Sequence, residues 1–285
     1  MKKIISIMLV VVTAILCLCS CGKLDATKDL DTVKKNGVLK VGMECNYPPF
    51  NWTQPESSET SVPLEGGGYA DGYDVQIAKK LADYLGVELK IVKLEWEGLV
   101  PALESGKIDC IIAGMSPTED RKLKIDFTED YYTSKFVAVV RKDSKYASAT
   151  KISDFSGAKL SAQIDSTMYN VIPQIEGVIR ETAMESHPVL TTALLAKKLD
   201  GYITELPNAL SATAVNDELK YIEFSEGNGF VLGPADGVVS VGLRKNSSLC
   251  DELNKVLATL TKEDRDELME WAVQHQPLSE NDIIN

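Results

Sequence analysis

An α/β fold, with a parallel sheet in each of two successive units, is what the sequence predicts, and three observations carry the prediction. Between residues 38 and 113, strand-like apolar runs alternate with amphipathic stretches of helical period. The same alternation begins again at residue 159 and continues to residue 243. The chain is also long enough for two cores: it has 285 residues, 44% of them hydrophobic and 25% charged, a balance that excludes disorder.

In the first unit, residues 38–43 (VLKVGM) alternate as a strand does, and Pro48-Pro49 ends the run. Residues 51–71 are rich in Ser, Glu, Pro and Gly and read as a loop or a floppy hairpin. Its acids, Glu56, Glu59, Glu65 and Asp71, lack calcium-loop spacing and read as solvated surface. Residues 73–85 put Ile77, Ala78, Leu81, Ala82 and Leu85 on one face, and Gly86 follows as a C-cap, so a helix is expected. Residues 87–92 form a strand, 99–105 a short helix stopped by Gly106, and 108–113 (IDCIIA) a buried strand.

The second unit places strands at 159–164, 200–204, 220–224 and 237–243. Helices are expected at 168–179, disturbed by Pro173, and at 189–198 and 206–215. Residues 247–260 and 261–275 read as closing helices; Leu249, Leu253, Val256, Leu257 and Leu260 form the stripe of the first.

Ahead of these units, Lys2 and Lys3 precede an apolar run, residues 4–18, broken only by Ser6 and Thr13. A membrane-spanning helix needs about 20 apolar residues, so the run reads as an export signal. It closes on Leu18-Cys19-Ser20-Cys21-Gly22, which resembles the bacterial lipobox. That resemblance implies removal of residues 1–20, lipid on Cys21, and a protein held on the extracytoplasmic face of the cell membrane; a plain secretory signal with an incidental Cys is the alternative. Residues 21–30 are expected to be a polar tether. Cys45, Cys110 and Cys250 remain; Cys45 with Cys110 is the pair to consider for a disulfide, and three idle thiols are the plainer reading.

Composition narrows the chemistry. The formal charge of −12 argues against nucleic acid as the main partner. Two His and scattered Cys are too few for a dedicated metal or iron–sulfur site, so no metal or cofactor is expected. No GxSxG, HExxH or Cys–His pair points to catalysis.

The segment Gly114-Met115-Ser116-Pro117-Thr118-Glu119-Asp120-Arg121 directly follows the strand IDCIIA. Ser116 can cap a helix, with Pro117 at its first position and Glu119 completing a capping box. The helix would start at the C-terminal edge of a parallel sheet, where such folds bind ligands, and Arg121 adds a fork suited to a carboxylate. Equally, Ser116 could simply cap while Arg121 pairs with a surface acid. A second strand-to-helix junction carries Gln163, Ser166 and Thr167, with the same two readings. Tyr47 and Trp96 follow strands and could sandwich a ligand or merely pack. Glu44 and Glu205 end strands, where a buried acid needs a partner.

The runs LKVGMECNYPPF, GYDVQIAKKLADYLGVELKIV, EWEGLVPALESGKIDCIIAGMSPTEDRKLKIDFTEDYY, DGYITELPNA and VGLRKNSSLCDELNKVL resemble the solute-binding proteins of polar-amino-acid ABC importers, family 3, over nearly all of residues 38–275. The resemblance implies a two-lobed periplasmic-binding-protein-like fold of type II. Lobe 1 would comprise 31–134 and 240–285, lobe 2 135–239, and the crossing hinge strands would lie near 132–139 and 238–243. It places Arg121 on a ligand α-carboxylate, helped by Ser116 and the Gly114 backbone, with Thr167 closing from the other lobe. Glu205 would bind the α-ammonium, where the family usually carries Asp. Tyr47 and Trp96 would form an aromatic clamp, Glu44 would lie near the ligand side chain, and Gln163 would face the cleft. The length of loop 51–71, and Asp165 in place of a common Gly, depart from the pattern.

Counting charge at those positions, Arg121 and Glu205 balance a zwitterion, and Glu44 leaves one negative charge over, which favours a cationic Lys or Arg ligand. The implied partners of this monomer are a free L-amino acid, an ABC permease and a separate ATPase, since this chain has no phosphate-binding GxxxxGK loop. The alternatives are a cyclohexadienyl-dehydratase-like enzyme on the same fold, whose dicarboxylate substrate asks for a more cationic site, and an amino-acid-sensing or adhesin module.

Overall fold

The computed structural model describes residues 24–277. The export signal, Cys21 and the first part of the expected tether lie outside the described residues. Among those residues, no helix is long and apolar enough to cross a membrane.

The strands in chain order are β1 (Val38–Met43), β2 (Asn46–Tyr47), β3 (Asn51–Gln54), β4 (Val62–Pro63), β5 (Tyr69–Asp71), β6 (Glu88–Lys93), β7 (Cys110–Ile111), β8 (Ile125–Thr133), β9 (Phe136–Arg141), β10 (Lys159–Ser161), β11 (Ile179–Arg180), β12 (Gly201–Glu205), β13 (Leu219–Ile222) and β14 (Val238–Arg244). One five-stranded sheet has the order β6-β1-β7-β14-β8, and a second has the order β11-β10-β12-β9-β13. β1 runs parallel to β6 and β7, and β10 runs parallel to β11 and β12. β14 and β9 join these cores antiparallel, so each sheet is mixed and not purely parallel. The antiparallel strands are the ones whose chain crosses between lobes.

The chain passes between the sheets twice, at Ser134 and Lys135 and again between Ile222 and Val238. Ser134 N–H donates to the Gly237 carbonyl at 2.6 Å, which ties the two crossings together. Gly237 has φ +72°, and a side chain there would run into the Ser134 carbonyl, so this crossing requires glycine.

The helix at Tyr73–Leu85 forms as its periodicity predicts, burying Ile77, Ala78, Leu81 and Ala82 against β1 and β6. Gly86, at φ +70°, ends it in the left-handed cap. In the second lobe, all six residues of β9 are buried. Ala138 and Val140 face one core with Leu160 and Ile203, while Val137 and Val139 face another with Leu190 and Tyr202. Helices therefore cover both faces of that sheet.

Three local expectations change, and the plainer reading of the cysteines holds. The tether ends early: Asp25 caps a turn at Ala26–Lys28, and a helix follows at Asp29–Asn36. Its Val33 enters the first core, and the Asp29 carboxylate accepts from Arg244 Nη2 at 2.8 Å and Ser247 Oγ at 2.6 Å, so residues 26–30 belong to the lobe. Of the two readings of residues 51–71, the hairpin is nearer: antiparallel strands β3, β4 and β5 make up most of an ordered four-stranded sheet, β2-β3-β5-β4. Asp71, read as solvated surface, is 2% exposed and accepts from Ser58, Thr60 and Gln76 side chains. The helix expected at 168–179 stops at Val171 and tightens at Ile172–Gln174, where Pro173 cannot donate. Cys45, Cys110 and Cys250 are free thiols, and burial pushes the Cys45 thiol up to about 12.

Candidate ligand-binding cleft

The candidate residues leave the C-terminal ends of parallel strands in both sheets. Glu44 and Tyr47 follow β1, residues 113–121 follow β7, residues 163–167 follow β10, and Glu205 ends β12. A cavity between the lobes is lined by Tyr47, Trp96, Gly114, Ser116 and Arg121 from the first, and by Gln163, Thr167 and Glu205 from the second. Ser166 of that second junction lines it too, as do Ala113 and Met168, which the sequence did not single out. Glu44 stands just behind, bonded to Gln163.

Ser116 does not cap a helix as expected. The short helix is Glu119–Lys122, and Thr118 caps it by accepting from Arg121 N–H at 3.3 Å. Thr118 N–H turns back to the Ser116 carbonyl at 3.0 Å, so the capping position moves two residues on. A single helical turn adds little dipole, and the positive charge here comes from the Arg121 side chain. Its Nη1 donates to the Ser116 carbonyl at 2.9 Å, and its Nη2 crosses the cleft to the Asp165 carbonyl at 2.7 Å. The guanidinium lies over the Trp96 ring, 5.1 Å from its centroid. Burial lowers its pKa to about 10, which leaves it charged at neutral pH. Asp165 has φ +53°, the left-handed region that explains the Gly expected there.

Two buried acids belong to the same cleft, Glu205 in its lining and Glu44 behind Gln163. Glu205 is 2% exposed and its Oε2 accepts from the Tyr47 hydroxyl at 2.7 Å. Desolvation pushes its carboxyl up to about 7. Burial also raises Glu44 to about 7; the Gln163 amide opposes that rise and nearby Glu95 adds to it. Gln163 Nε2 meets both Glu44 oxygens and the Glu185 carbonyl.

Two of the expected roles change in kind. Gly114 N–H is already donated to the Tyr131 hydroxyl at 3.1 Å, so it is not a donor waiting for a carboxylate; its carbonyl is the group left to act. Gly114 sits at φ +60°, and a Cβ would come within 2.9 Å of Tyr47 Cε1. Tyr47 is no free clamp face. Its ring stacks on Phe50 at 5.0 Å and on His187 at 4.4 Å, so Trp96 is the aromatic surface left to a ligand. Thr167 is 4% exposed and opens the helix Thr167–Val171, which Ser166 caps by accepting from Tyr169 N–H.

Beneath the site, the fully buried Asp74 accepts from Tyr131 Oη at 2.8 Å and Asn51 Nδ2 at 2.7 Å, and burial lifts it to about 7. Asp74 and His187 were not anticipated. Each lies at the start of a helix, where an acid or a His before Pro188 looks like ordinary helix-start chemistry. No group of His, Cys, Asp and Glu among the described residues could hold a metal ion.

Residues 39–271 match the bacterial extracellular solute-binding proteins, family 3. The chain belongs to this family. One relative of this solute-binding protein is the probable histidine-binding protein of Campylobacter jejuni, 33% identical over 197 residues, covering 67% of this chain and 70% of that one. Another is the arginine-binding extracellular protein ArtP of Bacillus subtilis, 27% identical over 235 residues and covering 81% and 82%. A solved amino acid ABC transporter substrate-binding protein from Streptococcus pneumoniae, bound to L-arginine, superposes with a TM-score of 0.75 at 27% identity, covering 86% of this chain and 98% of that one. The two-lobed type II fold and the family membership expected from the sequence are borne out.

Proposed function

We propose that this solute-binding protein captures a free L-amino acid between its lobes and hands it to an ABC permease powered by a separate ATPase. The observation that carries the reading is that Arg121 of one lobe and Glu205 of the other line one cavity. Arg121 grips the α-carboxylate, exchanging its Asp165 or Ser116 carbonyl contact for a charged one. Ser116 and Thr167 offer hydroxyls beside it. The ammonium lies between Glu205 and the Gly114 carbonyl, with Tyr47 holding the other Glu205 oxygen.

A cationic side chain fits the remainder. The hydrogen bonds to Glu44 and Glu205 come from Gln163 and Tyr47, which are neutral, so a buried negative charge is left over once a zwitterion is bound. Trp96 supplies a face for a guanidinium or ammonium. The similarity to arginine-binding proteins supports the same choice. Two carboxylates against one guanidinium do not suit a dicarboxylate, so we read the chain as a binding protein and not a dehydratase. We further read it as a monomer held on the membrane through lipid on Cys21, outside the cytoplasm; mass spectrometry of the N-terminal peptide and membrane fractionation of Cys21→Ala test the anchor.

Calorimetry against the twenty amino acids, cystine and ornithine tests the ligand. Micromolar or tighter binding of L-arginine or L-lysine is expected. Strong glutamine or cystine binding with no response to arginine or lysine overturns the cationic reading, and prephenate or arogenate turnover would establish the enzyme instead.

A further inference from the structure

We propose that His187 is the second lobe's positioning residue for the ammonium end of the cleft, bracing the Tyr47 ring so that its hydroxyl meets Glu205 when the lobes close. The inference rests on the amino-acid reading of the cleft. Tyr47 belongs to the first lobe, and its contact with Phe50, three residues along, is internal to that lobe. Two further contacts reach the second lobe. The ring stacks on His187 at 4.4 Å with 18° between the planes, and the hydroxyl donates to Glu205 Oε2 at 2.7 Å. With Phe50 against one face only, the phenol can still swing away from that face about its Cα–Cβ bond. Stacked on a second ring, it has its plane fixed, and the direction of its O–H is fixed with it. Glu205 then has one oxygen occupied and the other turned to the ammonium.

His187 is itself held. Its Nδ1 lies 3.4 Å from Thr204 Oγ1, next to Glu205 on β12, and its ring meets Tyr202 edge-on at 6.5 Å. Thr204 Oγ1 donates to Asn208 Oδ1 at 2.9 Å, and Asn208 Nδ2 crosses the cleft to the Pro48 carbonyl at 2.8 Å, beside Tyr47. His187 Nε2 is buried without a partner, and burial pushes the imidazole down to about 3, so it is neutral at physiological pH. A neutral ring can brace Tyr47 without repelling an ammonium a few ångströms away; an imidazolium would oppose it.

The stack joins two lobes, so it exists only in the closed state. Its loss acts on escape of the ligand and not on capture. Stopped-flow fluorescence on the mature chain, with L-arginine, L-lysine and L-glutamine as probes, reads this directly. His187→Ala is expected to raise koff and Kd roughly threefold to tenfold, the range of an aromatic pair, with kon unchanged. His187→Phe, which keeps the stack, restores koff to within about twofold. Unchanged koff in His187→Ala, or no rescue by His187→Phe while both variants melt like the parent, overturns the proposal. If the parent binds none of the probes, the amino-acid reading fails by itself. The interlobe distance between spin labels on the two lobes then decides His187: a shift toward open in His187→Ala upholds the brace, and an unchanged distribution overturns it.

Discussion

Gln163 Nε2, on the second lobe, donates to both carboxylate oxygens of Glu44 on the first, at 2.9 and 3.1 Å. The amide solvates the carboxylate without neutralising it, so closing the lobes buries a negative charge that still lacks a counter-charge.

Glu44→Gln removes that charge while leaving an oxygen for Gln163 to meet. The variant should lose its preference for arginine and lysine over glutamine by tenfold or more, about 1.4 kcal/mol, as read by calorimetry on the parent and variant. An unchanged ratio of affinities would mean that Glu44 does not face the ligand side chain.

Arg121→Ala should abolish the thermal shift produced by any amino acid. A ligand carboxylate would then be buried without its fork, and breaking a buried charged pair costs about 3–5 kcal/mol. Arg121→Lys, which keeps the charge but offers no planar fork, should also bind at least tenfold more weakly.

Acidity should act in opposite directions on the empty and the liganded protein. Glu44 and Glu205 rise from an ordinary 4.5 to about 7 on folding. The folded state therefore holds protons that the unfolded chain has released, and these two groups favour folding most below about 4.5, an effect lost as pH rises through about 7. The unliganded protein should thus gain melting temperature as pH falls from about 8 to 5. Binding an ammonium needs ionised carboxylates, so the ligand-induced shift should shrink over the same interval. Glu205→Gln should flatten both trends in differential scanning fluorimetry.

Asp29→Ala tests where the ordered chain begins. Arg244 is 9% exposed, and Asp29 is its closest anionic partner at 2.8 Å. Leaving the guanidinium without it should cost about 3–5 kcal/mol of stability in urea unfolding.

How far the sequence could be read depended on how local the deciding force was. The helix at Tyr73–Leu85 was legible because its apolar face and Gly86 cap are short-range signals. Residues 51–71 were not, because Asp71, which organises them, draws Ser58 and Thr60 from positions that look like solvated loop and Gln76 from the helix that follows. Ser116 and Thr118 were both plausible caps, and only the turn back to the Ser116 carbonyl chose Thr118. Gly114 and Tyr47 both line the cavity, yet the bond from Gly114 N–H to Tyr131 and the stack of Tyr47 on His187 are contacts that no local pattern announces.

The sequence by itself determined most of the local elements and the family. Folding decided which residues meet. Tyr47 and Glu205 stand 158 residues apart in the chain and share a 2.7 Å hydrogen bond only because two sheets are brought face to face. The same meeting of the lobes surrounds Glu44 and Glu205, and burial lifts both toward neutrality. Desolvation is a property of the space around a group, and no one-dimensional pattern of residues contains it.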